Sequence, residues 1–133
     1  MRSVLFMTCV VLGLAGQGLG DAQAHEEKLA GGEWVLQGEV ESRAPVLRFD
    51  AGRVSGTGGC NRFGGRYEER GDGLIFSAVA STRMACAPHM MRREQAFFSM
   101  RSDVRKRALS GDTLKLMNAA GGTLATFTRR LSD

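Results

Sequence analysis

The sequence predicts a mostly β domain of the α+β class: a curved antiparallel sheet or half-open barrel of about seven short strands with one packed helix, preceded by a signal peptide. Short runs of β-branched and aromatic residues recur along the chain, separated by turns rich in the 18 glycines. Only one segment spaces its apolar residues as a helix does. Strands do not alternate with helices, which favours an antiparallel sheet over a parallel one.

The first 24 residues are typical of a secretion signal. Arg2 supplies a positive start, residues 4–14 are almost wholly apolar, and residues 22–24 read Ala-Gln-Ala. We predict cleavage after Ala24 and a periplasmic mature chain; the alternative is a retained N-terminal membrane helix. Cys9 lies inside the apolar core and lacks the usual small residue before it, so we predict no lipidation.

The mature chain divides into a flexible segment, 25–30, and a single domain, 31–131. We predict strands at 34–40, 46–49, 54–56, 66–69, 74–79, 113–117 and 123–128. Tight turns at 50–53, 71–73 and 118–122 join three pairs of these strands into hairpins. Leu114, Leu116, Leu124 and Phe127 are expected to face the core.

The predicted helix begins at Pro88, a residue that fits the first helical turn. It has an apolar stripe that we expect to be core: Met90, Met91, Phe97, Met100 and Val104. The basic residues that follow, Arg101, Arg105, Lys106 and Arg107, are expected to form a solvated, charged helix end; contact with lipid headgroups or lipopolysaccharide is the alternative.

Two cysteines, Cys60 and Cys86, remain once the leader is removed. In an oxidising compartment an even number of cysteines favours a disulfide. The bridge would close a loop of about 27 residues and stabilise the domain by about 3–4 kcal/mol. A free thiol pair and a metal pair are the alternatives, although two cysteines without neighbouring histidines make a poor zinc site.

Three motifs occur in order along the mature chain and together resemble the META/HslJ domain family. They cover nearly the whole mature chain, with Trp34 matching the family's opening strand. The residues that carry the resemblance are Trp34, Gly59, Cys60, Asn61, Phe63, Gly65, Tyr67, Thr82, Met84, Cys86, Glu94 and Phe97. The resemblance implies a curved antiparallel sheet with a packed helix, a role in envelope integrity or stress tolerance, and no catalytic reaction.

We therefore expect a non-catalytic envelope protein whose motif residues are structural, with no cofactor and no metal site. Its partner is not named by the sequence; an envelope component or a lipid is the candidate, and we expect a monomer that does not bind nucleic acid. One alternative is a carrier of an apolar or lipid ligand in the concave face of the sheet. The other is a thiol enzyme in which Cys60 pairs with His89 and is oriented by Asn61 or Glu94.

Overall fold

A computed structural model describes residues 28–39 and 43–131. The predicted signal peptide, with Cys9 and the cleavage site, lies outside these residues. The described part contains eight strands and one helix: β1 (Glu33–Leu36), β2 (Val46–Asp50), β3 (Arg53–Thr57), β4 (Arg62–Arg70), β5 (Gly73–Ser81), α1 (Pro88–Arg101), β6 (Lys106–Ser110), β7 (Thr113–Met117) and β8 (Thr123–Arg130).

The strands form one curved antiparallel sheet in chain order. Each strand pairs with its neighbours in sequence, and β1 also pairs with β8, so that the sheet closes on itself. The three predicted hairpins are β2–β3, β4–β5 and β7–β8. The predicted antiparallel arrangement and single packed helix are therefore confirmed.

The strand count of about seven is too low, because β6 was assigned to a charged helix end. The helix stops at Arg101, whereas Lys106 and Arg107 begin a strand that pairs with β7 at five positions. Pairing with β7 and the partial burial of Leu109 against the core select strand over helix here. Val104 is buried at 0% exposure, as expected of a core residue, but it belongs to the turn between α1 and β6 and not to the helix.

Strand β4 begins four residues earlier than predicted, inside the glycine-rich stretch. Its ladder with β5 shifts register between Gly64 and Arg66, which marks a β-bulge. Opposite this shift, Ala78 of β5 has a φ of 49°. Strand β1 is shorter than predicted and ends at Leu36.

The closed sheet is filled by large apolar side chains. Leu114, Leu116 and Phe127 are fully buried, as the alternation of β7 and β8 predicts, whereas Leu124 is only partly buried against the core. The fully buried set is Trp34, Phe127, Leu29, Leu74, Leu114, Leu116, Val54 and Val104. Leu29 belongs to the segment expected to be a flexible tail, and its carbonyl accepts a hydrogen bond from Trp34 Nε1 at 2.9 Å. The folded part of the chain therefore includes Leu29.

Helix α1 packs on this core through Phe97. The Phe97 ring lies 5.8 Å from that of Phe63 at the start of β4 and 6.4 Å from that of Phe127 in β8. Glu94 and Met90 lie one and two turns before Phe97, respectively, and are also buried. Across the described ranges, no helix has both the length and the apolar character needed to span a membrane.

Candidate functional site

Asn61 and Glu94 form a buried polar pair where α1 meets the loop between β3 and β4. Both residues are only 3% exposed, and they are the two polar residues in the described core. A buried carboxylate is stable in a protein only when charge partners or hydrogen-bond donors replace its hydration. The partners of Glu94 therefore decide whether this carboxylate is structural or available for chemistry.

The Glu94 carboxylate accepts hydrogen bonds from three N–H groups of the loop. Its Oε1 accepts from the backbone N–H groups of Cys60 at 3.2 Å and of Asn61 at 2.5 Å. Its Oε2 accepts from Asn61 Nδ2 at 2.7 Å. Charge-assisted bonds of this kind are the stronger class of protein hydrogen bond. We call this loop between β3 and β4, residues 58–61, the bend. Glu94 thus holds the bend from inside the fold.

The opposite side of Asn61 fastens the segment that follows β5. Its Oδ1 accepts hydrogen bonds from Thr82 Oγ1 at 2.9 Å and from the Met84 backbone N–H at 2.6 Å. Its Nδ2 also lies 3.3 Å from the Met84 carbonyl. One amide side chain therefore joins the loop, the helix and the segment 82–87.

Two glycines allow the loop to approach Glu94. A Cβ on Gly58 would lie 2.6 Å from Cγ of Glu94, so any side chain there would displace the carboxylate. Gly59 has a φ of 112°, a backbone conformation that L side chains rarely adopt. The glycines of the motif are therefore explained by packing and backbone geometry.

Cys60 and Cys86 are joined by a disulfide, with their Cα atoms 6.2 Å apart. This pairing is the one predicted from the cysteine count. The bridge attaches the bend to the segment immediately before Pro88, at the start of α1. Bend, helix and segment 82–87 are thus fastened by one covalent link and by the hydrogen bonds of Asn61 and Glu94.

The remaining motif residues lie in the sheet and the core. Trp34 is fully buried beneath the Arg129 guanidinium, which lies 4.4 Å from the ring centroid. Tyr67 packs edge-to-face on Phe49 at 5.0 Å, and Gly65 faces Val79 across the bulge. Trp34 and Tyr67 are therefore motif residues that do not contact the Asn61–Glu94 pair.

The arrangement does not assemble the thiol-enzyme alternative. Cys60 is bonded to Cys86, and the Glu94 carboxylate is taken up by the loop N–H groups. His89 is exposed on the first turn of α1. No group of three or more histidine, cysteine, aspartate or glutamate side chains in the described ranges could hold a metal ion.

A surface groove beside the polar pair was not foreseen from the sequence. It lies between α1 and the end of β5 with the segment after it, and has a volume of about 660 Å³. We call it the α1 groove and define it by Ser81, Thr82, Arg83, Met84, Met91, Phe98 and Arg101. Met84, a motif residue, contributes backbone bonds to Asn61 but leaves its side chain 54% exposed. The sequence motif marks Met84 as a family residue, but it does not indicate that the Met84 side chain lies on the surface.

Solved structures similar to this chain support the fold. A protein from Burkholderia xenovorans, solved by NMR, is 23% identical with a TM-score of 0.66; the match covers 77% of this chain and 83% of that one. A second NMR structure is 25% identical with a TM-score of 0.61 and covers 76% and 91%. A DUF4847 family protein from Bacteroides vulgatus is 14% identical with a TM-score of 0.58 and covers 81% and 99%.

No curated protein shows significant similarity to the chain. The family model of the META domain matches residues 27–130, which include every strand, the helix, the disulfide and the Asn61–Glu94 pair. The chain therefore belongs to the META domain family.

Proposed function

We propose that this protein is a non-catalytic, exported envelope protein that supports envelope integrity or stress tolerance by binding another envelope component. Its place is the periplasm, reached through the leader predicted at residues 1–24. The domain acts as a rigid platform, and its surface carries the binding function.

The observation that carries this proposal is the use of the motif residues inside the fold. Asn61 and Glu94 are buried and bonded to each other and to the backbone, and the two cysteines form a bridge. A catalytic group needs a side chain that reaches substrate, and these side chains face the loop that they hold. Disulfides also persist in oxidising compartments, which is consistent with export.

The carrier alternative is less well supported by the geometry. A ligand in the concave face of the sheet would occupy the space that core side chains fill, among them Trp34, Leu114 and Phe127, each at 0% exposure. The α1 groove, by contrast, lies on the surface, and none of the three fully buried side chains named above lines it. Binding at the surface therefore fits the fold better than enclosure.

Deletion and complementation in the host organism test the proposal. We expect deletion of the gene to increase sensitivity to detergent, and the full-length gene to restore resistance. The matched control is the same gene without codons 2–24, which keeps the folded domain in the cytoplasm. Restoration by the leaderless gene, or a folded protein found only in the cytoplasm, would overturn export as part of the function.

A further inference from the structure

The outer edge of β5 lacks a strand partner over most of its length. Strand β6 meets β5 only at the pair Gly73 and Lys106, flanked by a bond from the Leu74 N–H to the Arg105 carbonyl. Beyond that point β6 continues past the β4–β5 turn, whereas β5 continues for seven residues in the other direction. In the described part of the chain, the edge from Ile75 to Ser81 hydrogen-bonds only to β4.

Strand geometry identifies amides that point away from β4. Successive N–H groups along a strand alternate between its two sides. The Thr82 N–H donates to the Arg62 carbonyl on β4, at 2.9 Å. The Ser81 N–H, one residue earlier, therefore points to the open side. The Val79 N–H, two residues before Ser81 and past the bulge, points the same way.

This edge has none of the charged residues that commonly protect an exposed strand. Residues 73–81 read Gly-Leu-Ile-Phe-Ser-Ala-Val-Ala-Ser, without a charge or a proline. Native proteins usually protect open edges with lysine, proline, a bulge or a covering element. Here a bulge at Ala78 precedes the last three residues of the strand. The bulge protects the middle of this edge, so pairing with another strand is best suited to the uncharged residues that follow it, 79–81.

The α1 groove continues from the end of this edge. Ser81 and Thr82 line one side of it, and Met91 and Phe98 of α1 line the other. Met84 is 54% exposed at the same place, which makes it one of the large apolar side chains that the surface leaves open. A strand added to β5 would carry its next side chains along this apolar lining.

The charge of the groove is positive, and one of its donors has no partner. Arg101 Nε is buried and makes no hydrogen bond among the described residues. Arg83 is exposed in the same lining. The one carboxylate of the lining, Glu94, already accepts three N–H groups. A carboxylate placed in the groove would be attracted by the guanidinium groups of Arg83 and Arg101, and an exposed N–H of either group would donate a charge-assisted hydrogen bond to it.

We propose that the β5 edge and the α1 groove together bind an extended acidic peptide segment of another protein by strand addition. The inference rests on the proposed binding function and names the chemistry of its partner. Main-chain hydrogen bonds to β5 supply affinity in this mode, while side-chain contacts supply selectivity. Here an apolar side chain meets Met84 and Phe98, and an acidic one meets Arg101.

Two other occupants fit the site less well. A lipid could fill the apolar lining and neutralise Arg101, but it has no repeating donors and acceptors to pair with the open β5 edge. A second copy of this chain could pair along β5, but it would bring its own Arg83 and Arg101 to a positively charged groove. An acidic peptide satisfies both the edge and the charge.

Peptide selection against the mature, disulfide-bonded protein tests the proposal. We expect a random 12-residue display library to yield peptides that alternate apolar residues and contain an acidic residue. The tightest selected peptide is then labelled and titrated against wild type and variants. Arg101→Gln and Ser81→Pro should each weaken binding about tenfold, the equivalent of about 1.4 kcal/mol. The first removes the charge, and the second removes an edge donor without touching the bond from Thr82 to β4.

Arg92→Gln is the matched control, since Arg92 is exposed on the same helix and lies half a turn away in angle from Arg101. The affinity of this variant for the selected peptide should stay within about twofold of the wild-type value. Urea unfolding of each variant checks that the domain is intact, and hydrogen exchange of Val79 and Ser81 should slow on peptide binding. A version of the peptide methylated at alternate backbone nitrogens should bind poorly if it forms a strand.

The inference would be overturned by selected peptides without acidic residues, by equal peptide affinity for wild type and for Arg101→Gln, or by unchanged hydrogen exchange of β5 on peptide binding. Two further results would do the same. One is Arg101-dependent binding of oleate without any peptide binding. The other is a dimer in sedimentation that Ser81→Pro abolishes. If Ser81→Pro restores envelope resistance in the deletion strain as wild type does, the docking site is wrong while the proposed function stands. Failure of wild type itself to restore resistance would count against the proposed function alone.

Discussion

At the scale of single residues, Asn61 has one orientation available to it. Its Oδ1 accepts from Thr82 and Met84, and its Nδ2 donates to Glu94. Rotation of the amide by 180° would place its oxygen against the Glu94 carboxylate and its nitrogen against two donors. The direction of these hydrogen bonds is therefore fixed from both sides, which makes the pair sensitive to the exchange of a single atom.

Glu94→Gln should destabilise the domain by about 2 kcal/mol, because a neutral amide replaces the acceptor of charge-assisted bonds. The new Nε2 donor faces either the Asn61 Nδ2 donor or the two loop N–H groups. Urea unfolding of the oxidised protein measures the loss. Glu68→Gln, at an exposed position of β4, is the control and should change stability by less than about 0.5 kcal/mol. Equal stabilities for the two variants would show that Glu94 does not hold the bend.

Asn61→Asp should be more damaging, by about 3 kcal/mol or more at neutral pH, since it buries a second carboxylate against Glu94. Shape and volume hardly change, so the loss isolates charge and hydrogen-bond direction. Lowering the pH should recover part of the stability, because protonating one carboxyl restores a donor between the two groups. A loss that does not vary with pH would contradict this explanation. Circular dichroism during urea titration at several pH values provides the comparison.

At the scale of elements, the bend, the helix start and segment 82–87 behave as one unit. The disulfide links Cys60 to the residue two positions before Pro88, while Glu94 contacts the same bend from the second turn of the helix. Helix α1 has no side-chain cap at its N-terminus. Its position is therefore set by these links and by Phe97 in the core.

Cys60→Ser and Cys86→Ser should destabilise the domain equally, by about 3–4 kcal/mol, because each opens the same loop. The mature wild-type protein, denatured without reductant, should show no reactive thiol with a thiol reagent. Reduction of wild type should reproduce the loss seen in either variant. Two titratable thiols in the untreated protein, or strongly unequal losses, would exclude the bridge as the link between bend and helix.

The open β5 edge predicts a contrast in hydrogen exchange within one strand. The Leu74 amide donates to the Arg105 carbonyl and should exchange slowly. The outward amide of Ser81 has no such acceptor among residues 28–39 and 43–131 and should exchange at least about tenfold faster, as local opening governs exposed edges. Similar protection of the two amides in the free protein would mean that another segment covers β5.

At the scale of the whole molecule, the closed sheet divides the residues that hold the fold, which lie inside it, from the residues available for recognition, which lie outside it. The core inside the sheet is apolar and filled, and the polar motif closes the fold where the helix packs against the loop. What remains for recognition is the outside of the molecule, and the α1 groove with the β5 edge is where exposed apolar side chains, an open strand and positive charge coincide.

The sequence predicted those parts of the fold that depend on local patterns. The hairpin turns, the proline at the helix start and the alternation of Leu114, Leu116 and Phe127 were sufficient for β7, β8 and α1. Strand β6 was missed because Lys106 and Arg107 resemble a solvated helix end. Its pairs with β7 are only three to eleven residues apart and join through the short turn at Gly111 and Asp112, a hairpin signal that the charges of Lys106 and Arg107 obscured.

The candidate site was predicted in its residues but not in its geometry. Glu94 and Asn61 belong to the motif, yet no spacing rule reveals that a helix carboxylate would accept N–H groups 33 and 34 residues away. The α1 groove was not foreseen at all. Arg101 was expected in a solvated helix end, whereas in the structure its Nε is buried and the residue lines the groove between α1 and segment 82–87.

The structural role of the motif is tested most directly by the double variant Asn61→Asp with Glu94→Gln. This exchange reverses one hydrogen bond: the glutamine nitrogen donates to the new aspartate, while Oε1 still accepts from the loop and the aspartate still accepts from Thr82 and Met84. Urea unfolding of wild type, both single variants and the double variant gives the coupling energy. We expect the double variant to be more stable than Asn61→Asp alone, with a favourable coupling of about 2 kcal/mol. Additive losses, with no coupling, would contradict a scaffold held by this pair.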